Sequence, residues 1–185
     1  MDFLATLQSL APADLVFLDE TGSNLAMARD YARAPRGQRA YATKPVNRGG
    51  RVTLLGALGL HGLVAAMTVD GFTDGDVFVA FLQDVLLPQL RPGQIIVMDN
   101  LKAHKVAGVT TACRDAEVSV LYLPPYSPDL SPIEECWSKI KASLRAKAAR
   151  TREALEQAIA EAFETITAND ARGWFTHAGY CIVSN

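Results

Sequence analysis

Three carboxylates stand where apolar runs give way to polar chain. Asp19 follows Leu15–Leu18, Asp99 follows Ile95–Met98, and Glu134 sits just after Pro132-Ile133, where a helical pattern opens. Carboxylates gathered from separate elements suit a hard divalent cation such as magnesium, which takes oxygen ligands. Two such ions can activate an attacking oxygen and stabilise a leaving one at phosphorus. Each residue also has a bland explanation. An Asp at the end of a strand is a common turn former. Ser131-Pro132-Ile133-Glu134 reads as a capping box with Pro at the first helical position, which would account for Glu134 without any function.

Glu20 and Glu135 are rival carboxylates. Asp19 is preferred to Glu20 because it directly ends its run, as Asp99 does. In the following helix, Ile133, Cys136, Trp137, Ile140 and Leu144 recur at three- and four-residue steps and define a buried face. At about 100° per residue, Glu134 lies at the edge of that face and Glu135 roughly opposite it. Glu135 also has Lys139 four residues on, the spacing of a surface ion pair. Trp137 reads as core. His104 is a candidate for phosphate contact or a helix-surface residue.

The elements that must position these groups follow from periodicity. Leu15–Leu18 and Ile95–Met98 read as buried strands, Val118–Leu123 as another, and Val52–Leu60 with Leu63–Val69 as a hairpin broken at His61-Gly62. Helices are expected over Asp74–Leu90, Lys102–Ala116, Pro132 to about Ala148, and Thr151–Thr167. This order fits a mixed α/β sheet of five strands covered by helices. Sites in open α/β sheets lie beyond the carboxyl ends of strands, where Asp19 and Asp99 are expected. The chain reads as one domain over residues 1–185, with 151–185 a helical tail.

With 185 residues, 49% of them hydrophobic, the chain can fill a core. Cys113, Cys136 and Cys181 are too dispersed for a metal or redox motif, and neither a leader nor a membrane span is evident. A reduced, cytoplasmic setting is expected. The net charge of −2 hides a strong segregation. Arg29–Arg51 holds seven basic residues and one acid, and Lys139–Arg152 holds six and none, so the two segments carry thirteen of eighteen Lys and Arg. Local positive charge, not a basic average, is what phosphate contact requires. The candidates are Arg33, Arg36, Arg39, Lys44, Arg48, Lys139, Lys141 and Arg145, with His104. Two solvated faces are the plain alternative.

Three segments together carry a resemblance: FLDETG at Phe17–Gly22 with RAPRGQRA at Arg33–Ala40, VMDN at Val97–Asn100, and LPPYSPDLSPIEECW at Leu123–Trp137. The chain resembles the catalytic domain of DDE transposases of the mariner-like superfamily, in its bacterial insertion-sequence branch. The 34 residues between Asp99 and Glu134 agree with that family's spacing. The resemblance implies a ribonuclease-H-like fold and a metal-binding triad of Asp19, Asp99 and Glu134 with two Mg2+ or Mn2+ ions. It implies phosphodiester hydrolysis at element ends and strand transfer into target DNA at TA, by a homodimer when active. The family's usual N-terminal helix-turn-helix region has no counterpart in the eighteen residues before Asp19. A helix-turn-helix chain from an upstream frame is therefore an expected partner. A catalytically silent remnant that binds DNA or a partner transposase is the alternative reading. A nuclease acting on RNA–DNA hybrids fits less well, because the PYSPDLSPIE loop belongs to the transposase pattern.

Overall fold

The computed structural model describes Thr6, residues 10–100 and residues 105–182. Five strands form one mixed sheet: β1 (Leu15–Ser23), β2 (Val52–Gly59), β3 (Gly62–Asp70), β4 (Ile95–Met98) and β5 (Ser119–Tyr122). Their spatial order is β3-β2-β1-β4-β5. The hairpin strands pair antiparallel with each other and with β1, while β1–β4 and β4–β5 are parallel. Parallel strands buried on both faces read as continuous apolar runs, which is why LVFL and IIVM carry no alternation.

Helices cover both faces. On one side lie α1 (Gly75–Ala80), prolonged by a π-helical turn at Phe81–Leu86 and a 3-10 turn at Leu87–Gln89, and α2 (Ala107–Asp115). Asp74 caps α1 by accepting the Val77 N–H at 2.9 Å. On the other side lie α3 (Pro132–Lys147), α4 (Arg152–Glu164) and α5 (Ala168–His177). Side chains alternate between the two faces along a strand, and the core divides accordingly. Leu15, Phe17, Leu54, Leu58 and Val97 pack with α3, α4 and α5. Val16, Leu18, Leu55, Ile96 and Met98 pack with Phe78, Phe81, Leu82, Leu86 and Val109. The five-stranded, helix-flanked architecture expected from the sequence is the one observed.

Three expectations need correction. β1 does not end at Leu18; it runs to Ser23, because its other edge stays paired with β2 as far as Ser23 opposite Val52. The expected Thr151–Thr167 helix stops at Glu164, and a separate helix starts at Ala168. That start is a capping box, with Thr167 and Asp170 bonding reciprocally. The helix expected over Lys102–Ala116 is observed as Ala107–Asp115, and positions 101–104 lie outside the described residues. The tail is integral to the core: Phe175 and Tyr180 both meet the Phe17 ring edge-on at 5.3 Å between centroids.

Candidate active site

The parallel register places the first two carboxylates. β1 and β4 pair from Leu15 opposite Ile95 to Leu18 opposite Met98. Asp19 and Asp99 are the next residue on each strand, so both leave the ladder at the same level. Strand parity puts both on the face that carries Phe17 and Val97, toward α3. The same parity turns Glu20 to the opposite face, since it follows Asp19 by one residue and lies across from Leu55. Asp19, and not Glu20, thus lines the cavity face, a distinction that the uniformly apolar run could not make.

The loop after β5 and the first turn of α3 bring the third. Asp19, Asp99 and Glu134 line one cavity of about 440 Å3, together with Asn100, Ser131 and the Pro124–Pro128 loop. Tyr126 stands fully exposed at its rim with a left-handed backbone, φ 59°. The C-terminal segment steadies this loop: the Tyr180 hydroxyl donates to the Leu130 carbonyl at 2.8 Å.

The capping box expected at Ser131 does not form. The Ser131 hydroxyl makes no capping hydrogen bond. Its backbone N–H, which a capping Glu134 would have to accept, already donates to the Pro128 carbonyl at 3.0 Å within a 3-10 turn. Glu134 is thereby released to the cavity. The helical phase holds as expected, with Ile133, Cys136, Trp137, Ile140 and Leu144 all buried. The ion pair expected between Glu135 and Lys139 is absent. Lys139 instead reaches Asp170 at 2.7 Å and the Thr165 carbonyl at 2.9 Å, while Glu135 faces His177 at 3.7 Å.

Asp19 has a second partner that the sequence did not suggest. The Trp137 indole N–H donates to Asp19 Oδ2 at 2.9 Å. Burial pushes the Asp19 carboxyl up to about 6, with the nearby Glu134 and Asp99 charges adding to the rise. The Glu20 backbone N–H and the Trp137 indole oppose it. A buried carboxyl with two further carboxylates nearby is an environment that favours a cation. Among the described residues, no three His, Cys, Asp or Glu side chains close on a common point as a finished ligand cage. The donor set, all carboxylate oxygen, fits Mg2+ or Mn2+, which retain water and need few protein ligands.

The basic candidates among the described residues separate into three groups. Lys44, Arg48, Lys141 and Arg145 line a second, polar groove of about 460 Å3 with Asn24 and Asp30. The two basic segments, about ninety residues apart in the chain, meet there. Arg33, Arg36 and Arg39 are exposed on the excursion between β1 and β2 and do not line it. Lys139 pairs with Asp170 of α5 at 2.7 Å. His104 lies outside the described residues.

The family described as DDE superfamily endonuclease matches residues 14–156. The chain belongs to this family. Its DDE fold is seen in solved structures as well. A pre-cleavage Mos1 transpososome superposes with a TM-score of 0.75 at 19% identity, covering 89% of this chain and 52% of that one. A Mos1 mariner paired-end complex with Mn gives 0.75 at 19%, covering 94% and 54%. The isolated catalytic domain of Mos1 mariner transposase gives 0.68 at 15%, covering 94% and 80%. This DDE chain thus spans about half the length of the whole transposase chains it resembles. No curated protein matches it. No described helix is long and apolar enough to cross a membrane.

The raised Asp19 pKa has a definite sign. Its carboxyl binds a proton more tightly folded, near 6, than at its ordinary 3.8. In metal-free protein that contribution to stability is complete below about pH 4 and lost as pH rises through about 6. Urea denaturation in chelator across this window should show wild type losing stability relative to Asp19→Asn. Parallel pH profiles would contradict the assignment.

Proposed function

We propose that this chain is the catalytic part of a DNA transposase, cutting phosphodiester bonds at element ends and joining the freed 3′-hydroxyl to target DNA. The observation that carries this reading is the convergence of Asp19, Asp99 and Glu134 on one cavity within a DDE-family fold. Asp19 and Asp99 would hold divalent metal from adjacent strands, and Glu134 would complete a second site from α3. When bound, two Mg2+ or Mn2+ ions activate the attacking oxygen and stabilise the leaving one. Related structures support this metal choice, since Mos1 complexes were solved with Mn and with Mg.

The polar groove is the proposed path for the DNA backbone. Gly22 lines the groove and Asp19 the cavity. They are three residues apart on β1, about 10 Å along the strand. The Arg145–Asp30 contact is loose at 3.5 Å and well exposed. Such pairs contribute little, so Arg145 can exchange Asp30 for a phosphate. Phosphate contacts give affinity without reading sequence. Recognition of element ends would come from a helix-turn-helix region on a partner chain, with a TA target, a homodimeric active state and a cytoplasmic setting completing the proposal.

Cleavage of supercoiled plasmid should require Mg2+ or Mn2+ and fail in Ca2+, whose larger and looser shell suits the site poorly. Glu134→Gln should abolish it and Glu135→Gln should retain most of it; the opposite ranking would overturn the assignment. For binding, Lys141→Ala with Arg145→Ala should weaken all duplexes alike. For every phosphate no longer neutralised, the salt slope of log K should shrink by about 0.9. Fluorescence anisotropy over a salt series reads this, and an unchanged slope would remove the groove from the path.

A further inference from the structure

Trp137 is the largest fully buried side chain among the described residues, and it lies on α3 one helical turn beyond Glu134. A buried indole N–H is a donor that must find an acceptor. The acceptor here is not a backbone carbonyl but Asp19 Oδ2, at 2.9 Å. The seat for the ring is specific. Asp19 lies directly across the β1–β2 ladder from Gly56. A Cβ built on Gly56 would stand 2.6 Å from Trp137 Cη2 and 3.2 Å from Cζ2. The glycine interrupts the apolar strand VTLLGALG at the position where the indole passes over the sheet. Gly56, Trp137 and Asp19 therefore form one unit: a gap in β2, a ring that fills it, and a carboxylate that the ring's edge holds.

We propose that Trp137 is a positioning residue of the carboxylate site, fixing Asp19 relative to Glu134 through its indole N–H. Both residues depend on α3, which carries Glu134 itself and grips Asp19 through Trp137. The bond engages Oδ2 from one direction, and the Glu20 backbone N–H is a second donor to the same carboxylate. The indole bond restricts the Asp19 side-chain torsions, so the carboxylate is oriented before a cation arrives. Outer partners that orient a ligating carboxylate matter to metal affinity, and their loss typically costs about 10–100-fold. A ring acting through volume alone would not depend on the N–H.

This inference rests on the proposed metal role of Asp19, and its test separates the two. Mn2+ affinity is measured by electron paramagnetic resonance on the full chain for wild type, Trp137→Phe, Gly56→Ala and Asp19→Asn. A further variant carries benzothienylalanine at position 137, which keeps the bicyclic shape and removes only the N–H. In metal-free protein, the Trp137 indole cross-peak, one of two in the chain, is followed by NMR. The expected result is a downfield indole proton that moves in Asp19→Asn. Mn2+ affinity should fall about 10–100-fold in Trp137→Phe and in the benzothienyl variant. Gly56→Ala, which keeps the N–H but displaces the ring, should lower affinity too. If Trp137→Phe fails to fold, the benzothienyl variant decides. Wild-type affinity in that variant would overturn the positioning role while leaving the site intact. Equal Mn2+ binding by wild type and Asp19→Asn would overturn the metal role of Asp19, and the positioning inference with it.

Discussion

The parallel pairing of β1 with β4 is the constraint on which the rest depends. Its last pair, Leu18 opposite Met98, aligns the two strands so that their next residues are both Asp. A slip of one residue would send either carboxylate to the opposite face, because side chains alternate with a period of two. The register is protected by burial on both sides. Val16, Leu18, Ile96 and Met98 face α1 and α2, while Leu15, Phe17 and Val97 face the C-terminal helices. The same apolar contacts that hold the sheet thus set the level at which charge emerges from it.

Helix α3 supplies the second constraint. It is anchored by Ile133, Cys136, Trp137, Ile140 and Leu144, and this anchor fixes the rotation of Glu134 about the helix axis. The start of the helix resolves a conflict between stability and function. A closed capping box would draw Glu134 back to its own backbone. The 3-10 turn at Pro128–Leu130 satisfies the Ser131 N–H first, so Glu134 is left for the cavity. The tail contributes at a distance, with Phe175 and Tyr180 packed on Phe17 and the Tyr180 hydroxyl bonded to the loop at Leu130. The result is an acidic pocket in which burial first, and the neighbouring Glu134 and Asp99 charges second, raise the Asp19 pKa.

Much of this was legible in the sequence because burial leaves a clear imprint. LVFL, IIVM and the α3 stripe marked out the strands, the helix and its phase. The Asp99–Glu134 interval and the PYSPDLSPIE loop pointed to the family. What stayed hidden depended on contacts between distant residues. The extension of β1 to Ser23 is set by pairing with β2, not by its own composition. The capping box was a sound local pattern overridden by a neighbouring turn. Lys139 looked like a surface charge because Asp170 lies 31 residues away. The Trp137–Asp19 bond spans 118 residues. Its traces were a Trp on a buried helix face and a glycine inside an apolar strand, and neither names the other.

The central claim is that Asp19, Asp99 and Glu134 hold divalent metal together. The most direct measurement is anomalous diffraction at the manganese edge from crystals of the chain grown with Mn2+. The account predicts a peak in the cavity within about 2.0–2.6 Å of carboxylate oxygens from at least two of the three residues, as expected for hard-cation coordination. A peak confined to other acidic residues, with these three carboxylates left uncoordinated at saturating Mn2+, would contradict it.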